Sequence, residues 1–212
     1  MKKAAIVALL FVLAFPVWGQ VTWGVRAGGS YSALVQKIGD KNEAGSRMGF
    51  SVAALANIPL NAIYKRLSIR TELGLMNQGG AWYSGQDLDG MAFYNRCRYN
   101  SLHIPVNLAW TFPFYDMRIS LYAGPSFDFS LFGDMTSRKE NQHLHFGHTD
   151  EKDLKPFDLG VNTGFSVAYH AYFLAVNLNA GTLDRRATRR QGESPVYQNN
   201  ITFSLGYYFE CN

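Results

Sequence analysis

The stretch that decides the fold is "ITFSLGYYFE", residues 201–210. Its odd positions are apolar (Ile201, Phe203, Leu205, Tyr207, Phe209), and between them stand Thr202, Ser204, Gly206 and Tyr208. Alternation with a period of two reads as a β-strand, because successive side chains point to opposite faces. Whether the apolar face meets a protein core or lipid tails sets the class of fold.

Working outward, the pattern recurs at 21–31, 48–60, 67–78, 101–112, 118–132, 157–170 and 172–181, which with the closing segment predicts eight strands. Most run 10–14 residues, whereas soluble strands have ~5–6 and a tilted membrane-spanning strand needs ~9–11. The connections alternate too. Short turns fall at 61–65, 113–117 and 170–171, and long polar segments at 32–47, 79–98, 133–156 and 184–199. Short turns at one rim and long loops at the other is the outer-membrane arrangement, with the short turns periplasmic.

Side-chain volume decides which face is outside. The apolar set includes Trp23, Phe50, Trp110, Phe112, Phe127, Phe129, Phe165 and Phe203, too bulky for the interior of an eight-stranded barrel. The opposite set is mostly Gly, Ser, Ala, Asn and Thr, without a lysine. The apolar face is therefore expected to meet lipid, with aromatic girdles near the strand ends. One girdle would draw on Trp110, Phe112, Phe114, Tyr115, Tyr169, Tyr172, Tyr207, Tyr208 and Phe209, the other on Tyr31, Phe129, Phe132 and Phe157. The charges with inward parity are Arg26, Arg70, Glu72, Arg118, Asp128 and Asp158. Their balance of sign predicts a paired network, since an unpaired buried charge is costly. His103 and Asp128 lie nearly equidistant from the 113–117 turn and are expected to face each other. Filling of the lumen is the plain role for this set, and a proton or ion path the sharper one.

The N-terminus, "MKKAAIVALLFVLAFPVWGQ", has two lysines, an apolar run from Ala4 to Phe15 and a small residue at Gly19. This is the layout of a secretory signal peptide, so residues 1–19 are expected to be a cleaved leader and 20–212 the barrel domain. Removing Lys2 and Lys3 takes the formal charge from +4 to +2. A nearly neutral chain argues against a nucleic-acid partner. The slightly negative mean hydropathy and the lack of any long apolar run after residue 20 exclude spanning helices but not a barrel, whose alternating strands average out.

The segments "WGVRAGGSYSAL", "IPLNAIYKRLSIRTELGLMNQG", "NSLHIPVNLAWTF", "ISLYAGPSFDFSL" and "FSLGYYF" carry a resemblance. The sequence resembles the porin-like outer-membrane β-barrel family, with the eight-stranded architecture of the OmpA and OmpX type. The resemblance implies an all-β, antiparallel, up-and-down transmembrane barrel in a Gram-negative outer membrane. It also implies insertion by the barrel-assembly machinery, with Phe203, Leu205, Tyr207 and Phe209 as the assembly signal. Such chains usually end on the aromatic residue, whereas here Glu210, Cys211 and Asn212 follow Phe209.

Three groups are candidates for chemistry. His143, His145 and His148, beside Asp150, have the donor type for a transition metal, although polar loops carry histidines for other reasons and no cofactor is expected. Arg185, Arg186, Arg189 and Arg190 on the last long loop are candidates for lipopolysaccharide phosphates. His103 and Asp128, with Ser101 or Ser126, are the strand-borne set nearest to a hydrolase, but their inward parity keeps them from lipid substrates. Cys97 and Cys211 are placed at opposite rims of a wall ~25 Å tall, too far apart for a disulfide. The reading is a monomeric, non-enzymatic barrel with a filled lumen, contacting outer-membrane lipid and lipopolysaccharide, in a structural, surface-interaction or envelope-assembly role. A small-solute porin and an outer-membrane lipid-modifying enzyme are the alternatives.

Overall fold

The computed structural model describes residues 21–38, 41–60, 63–86, 92–137, 140–149, 152–188 and 193–209. The expected leader, 1–19, lies outside them, as do Asp150, Arg189, Arg190 and Cys211. Nine strands are present among the described residues: β1 (Thr22–Ile38), β2 (Lys41–Pro59), β3 (Leu67–Gln86), β4 (Ala92–Phe114), β5 (Met117–Ser137), β6 (Glu140–His143), β7 (Phe157–Tyr169), β8 (Tyr172–Gly181) and β9 (Val196–Phe209). All strand pairings are antiparallel, and the order β4-β3-β2-β1-β9-β8-β7-β5 closes through the β4–β5 ladder. Eight strands thus form a closed barrel, and β6 only folds back on the end of β5. Closure leaves no unpaired edge for lipid to meet.

Parity along the strands agrees with the volume argument. Trp23, Phe50, Leu73, Trp110, Phe165 and Phe203 are exposed on the outer surface, while Arg26, Ser51, Glu72, Asn107, Ser166 and Thr202 are buried within. The β4–β5 and β7–β8 turns are two-residue hairpins, Tyr115–Asp116 and His170–Ala171, bracketed by the pairs Phe114↔Met117 and Tyr169↔Tyr172. Tyr115 and His170 have φ of 53° and 51°. Positive φ at the first turn residue follows the twist of paired strands, at a steric cost that glycine would avoid.

The strands extend beyond the alternating segments read from sequence. Two of the expected long loops, 32–47 and 79–98, are largely strand: Ile38 pairs with Lys41, and Gln86 with Ala92. The alternation continues there with inverted polarity. Leu34, Trp82, Cys97, Tyr99 and Met135 point inward and are buried, whereas Arg96 and Arg98 point outward and are exposed. Polar-out and apolar-in is the pattern of a sheet with water outside, so the inversion marks where the wall leaves the lipid.

The β7–β8 ladder stops at Gly160↔Gly181, well short of the protruding β1–β5 wall. Two connections fill the gap. Phe146 bridges Leu154, Leu154 bridges Arg186, Lys155 N–H donates to Arg185 O, and Arg185 N–H donates to Val196 O. This places Leu144 and Leu154 in an apolar cluster with Leu34, Trp82, Cys97, Tyr99, Met135 and Val196, which caps the barrel at the long-connection rim.

Candidate functional site

The inward set builds a polar core in layers. Nearest the short turns, Arg26 Nε donates to Glu72 Oε2 at 2.7 Å and Arg70 Nε to Glu72 Oε1 at 3.1 Å. Arg26 also donates to Ser51 Oγ, and Arg70 to Ser166 Oγ and the Tyr208 hydroxyl. The Arg70 guanidinium lies 4.5 Å over the Tyr122 ring and 5.4 Å from that of Phe173. One carboxylate therefore serves two guanidiniums, each half-neutralised and held by hydroxyl acceptors, with Arg70 also lying against two rings.

In the middle layer the β4–β5 register sets His103 opposite Asp128, and Nδ1 lies 2.8 Å from Oδ1. Asn179 Nδ2 donates to the other Asp128 oxygen at 3.3 Å, and its Oδ1 accepts a 2.6 Å bond from Ser126 Oγ. Asp158, the register partner of Asp128 on β7, accepts from Leu183 N–H. Neither serine candidate is held for attack. Ser101 Oγ accepts from Gln78 Nε2 at 2.8 Å, and Ser126 Oγ is committed to Asn179.

The uppermost layer contains a residue that sequence reasoning places on the surface. Arg185 is 1% exposed, donates to Ser130 Oγ at 2.7 Å and lies over the Tyr99 ring. Tyr99 in turn donates to Gln198 Oε1 at 2.8 Å. Arg185 is thus not available to lipid phosphates, because the backbone bonds that fill the missing wall turn it inward. Arg186 is also buried and paired with Glu193 at 2.6 Å, while Arg189 and Arg190 lie outside the described residues. The arginine cluster expected for lipopolysaccharide is not assembled among the described residues.

Arg118 needs the opposite correction. Its parity is inward, but it sits next to the β4–β5 turn and is exposed. It donates to His170 O and lies 5.8 Å from the Tyr208 ring, at the mouth rather than in the buried network. Arg185 takes its place in the charge balance: Arg26, Arg70 and Arg185 face Glu72, Asp128 and Asp158, all buried.

The loop histidines are not gathered. His143 reaches Asp134 at 3.1 Å, His145 lies 3.8 Å from Asp153, and His148 is exposed. No metal-sized group of three His, Cys, Asp or Glu residues occurs among the described residues. Cys97 is a free, buried thiol in the apolar cap.

Besides Trp82 in the cap, four inward aromatics among the described residues escape the sequence reading: Tyr99, Tyr122, Phe173 and Tyr208, the last of which it counts in the girdle. Each faces a glycine across a ladder, in the pairs Tyr99↔Gly133, Tyr122↔Gly164, Phe173↔Gly206 and Tyr208↔Gly24. A Cβ on Gly206 would stand 2.1 Å from the Phe173 ring, and one on Gly164 2.7 Å from that of Tyr122. The missing side chains make the room for the rings. Parity is the signal that could have found them, since each of these aromatics shares the phase of inward neighbours.

With this geometry established, comparison with known proteins gives a consistent result. A family model described as an outer membrane protein beta-barrel domain matches residues 15–185. Among solved structures, Neisserial surface protein A is 15% identical, with 88% of this chain and 97% of that chain covered and a TM-score of 0.50. A major outer membrane protein from Thermus thermophilus is 14% identical, covering 89% and 99%, with a TM-score of 0.49. Ail, the attachment invasion locus protein of Yersinia pestis, is 9% identical, covering 89% and 98%, with a TM-score of 0.47. Such identities speak to fold alone, and no curated protein matches the sequence.

Proposed function

Because the chain belongs to the family of outer membrane protein β-barrel domains, we propose that it is a closed, non-conducting barrel that serves surface interaction or envelope assembly rather than transport or catalysis. The observation that carries this reading is the filled lumen. Arg26, Glu72 and Arg70, then His103 and Asp128, occupy successive levels with almost no exposed surface. Eight strands enclose room for packed side chains and little more.

In this reading the short turns and both termini are periplasmic, and the protruding β1–β5 wall with its cap faces outward. The belt of Phe50, Leu73, Leu108, Phe165, Phe203 and Leu205 contacts outer-membrane lipid and the acyl chains of lipopolysaccharide. The barrel is monomeric. Phe203, Leu205, Tyr207 and Phe209 present the outer face of β9 to the assembly machinery during insertion. The water-facing surface of the protruding wall, with Arg96 and Arg98, is the part offered to surface partners.

Planar-bilayer recording of the purified protein tests the reading. No steady conductance is expected. Steady open channels would overturn the filled lumen and favour the small-solute porin, and lipid hydrolysis lost in His103→Ala would favour the lipid-modifying enzyme.

A further inference from the structure

The short-turn mouth of the barrel is a cavity of about 180 Å³ with an unusual charge pattern. Its lining is drawn from the ends of β1–β5, β7 and β9 and from the β2–β3 turn. Arg70 lies at the lumen end, with Arg118, Lys65 and Arg66 at the rim, and among the described residues no Asp or Glu belongs to the lining. Among the described residues, the two acids closest in the fold, Glu72 and Asp116, have other roles. Glu72 is committed to both Arg26 and Arg70, so this pair of guanidiniums and one carboxylate leaves a net positive charge behind the cavity. Asp116 sits exposed on the β4–β5 turn and is not part of the lining.

The donor inventory points the same way. Arg70 is 1% exposed, yet its Nη2 has no acceptor, although Nε and Nη1 are both used. A buried donor left unmade costs about 1–3 kcal/mol, more when charged. Native interiors rarely keep one without a partner. A charged donor buried without a partner, on the floor of a mouth ringed by cations, lacks an acceptor bearing negative charge.

We propose that this mouth is a binding site for a small oxyanion of the phosphate class, with Arg70 as its buried floor and Arg118, Lys65 and Arg66 as its rim. The planar guanidiniums supply forked donors suited to tetrahedral oxygens, and Lys65 a point charge. The cavity has room for such an anion with water around it. Binding relieves the uncompensated charge shared by Arg26 and Arg70. The site sits below the filled lumen and does not depend on whether the barrel conducts.

Calorimetric titration of the full chain in non-ionic detergent at pH 7, with inorganic phosphate in a constant chloride background, tests the site. Saturable binding at one site is expected. Arg118→Gln, and Lys65→Gln with Arg66→Gln, should each weaken it at least fivefold. These residues are exposed, so unchanged heat-modifiable gel mobility will show that the variants fold. Lys152→Gln, in the connection at the opposite rim, should leave the affinity unchanged. Competition by a short-chain phosphatidic acid would identify a lipid headgroup as the physiological source, and its failure to compete a soluble anion. The site is overturned by heats no larger than those of chloride, by an Arg118→Gln variant that binds as the parent does, or by equal weakening in Lys152→Gln.

Discussion

The guanidinium of Arg185 lies 5.7 Å over the ring of Tyr99 and donates to Ser130 from inside the barrel. This contact joins the capping connections to the wall and puts a cation within electrostatic range of Asp158 and Asp128. Truncation to alanine would leave those carboxylates short of a counter-charge. Arg185 acts on them at a distance, and its charge-assisted bond to Ser130 is itself worth about 1.5–3 kcal/mol. Arg185→Ala should therefore lower the unfolding free energy read from the urea dependence of the heat-modifiable gel shift by an amount of that order, moving the midpoint down, and expose the 144–156 segment to protease. An unchanged midpoint would place Arg185 outside the lumen.

His103 and Asp128 should behave as one unit. A double-mutant cycle with His103→Ala and Asp128→Asn is expected to show a coupling of about 0.5–3 kcal/mol, the range for residues in direct contact. Unfolding midpoints of the two single variants and the double supply the measurement. Additive effects would contradict the 2.8 Å pairing.

Gly206 should tolerate no side chain while Phe173 stays in place. A valine there forces the Phe173 ring off Tyr208, 4.5 Å away, and off Arg70 beneath it. Overpacking of this kind costs about 1–3 kcal/mol. Adding Phe173→Ala to Gly206→Val should restore part of the loss. A double variant as unstable as the sum of the singles would refute the steric account.

Cys97 should be chemically silent in the folded protein. It lies in the water-side extension of β4, buried in the apolar cap, and burial pushes its thiol up to about 12. At pH 8 it is therefore protonated as well as inaccessible, and the thiolate is the reactive form. In a Cys211→Ser background, a maleimide is expected to label Cys97 only after unfolding. Rapid labelling of the native barrel would show that the cap is open.

Much of the fold is legible in the sequence because the information is local. Parity, turn spacing and side-chain bulk can be read a few residues at a time, and they locate the lipid face, the lumen face and the three short turns. Depth along the axis is less legible. Arg118 has the right parity, but it lies one residue from a hairpin end and reaches the mouth instead of the core. Polar residues beyond the membrane look like loop, although β1–β4 continue there with water outside and Leu34, Cys97 and Tyr99 within. The apolar residues Leu144, Phe146 and Leu154 in an otherwise polar connection are the local trace of the cap.

The sequence by itself determined that this is a barrel with an apolar outside, because a period of two is a property of neighbouring residues. Only the tertiary structure decided what fills it. Arg26 finds Glu72 across 46 positions, Arg70 finds Tyr208 across 138, and Tyr99 finds Gln198 across 99. Which inward side chains share a level depends on the stagger of eight ladders around a closed ring. It depends equally on two connections folding inward because the β7–β8 wall is too short, and neither condition is written in any one segment.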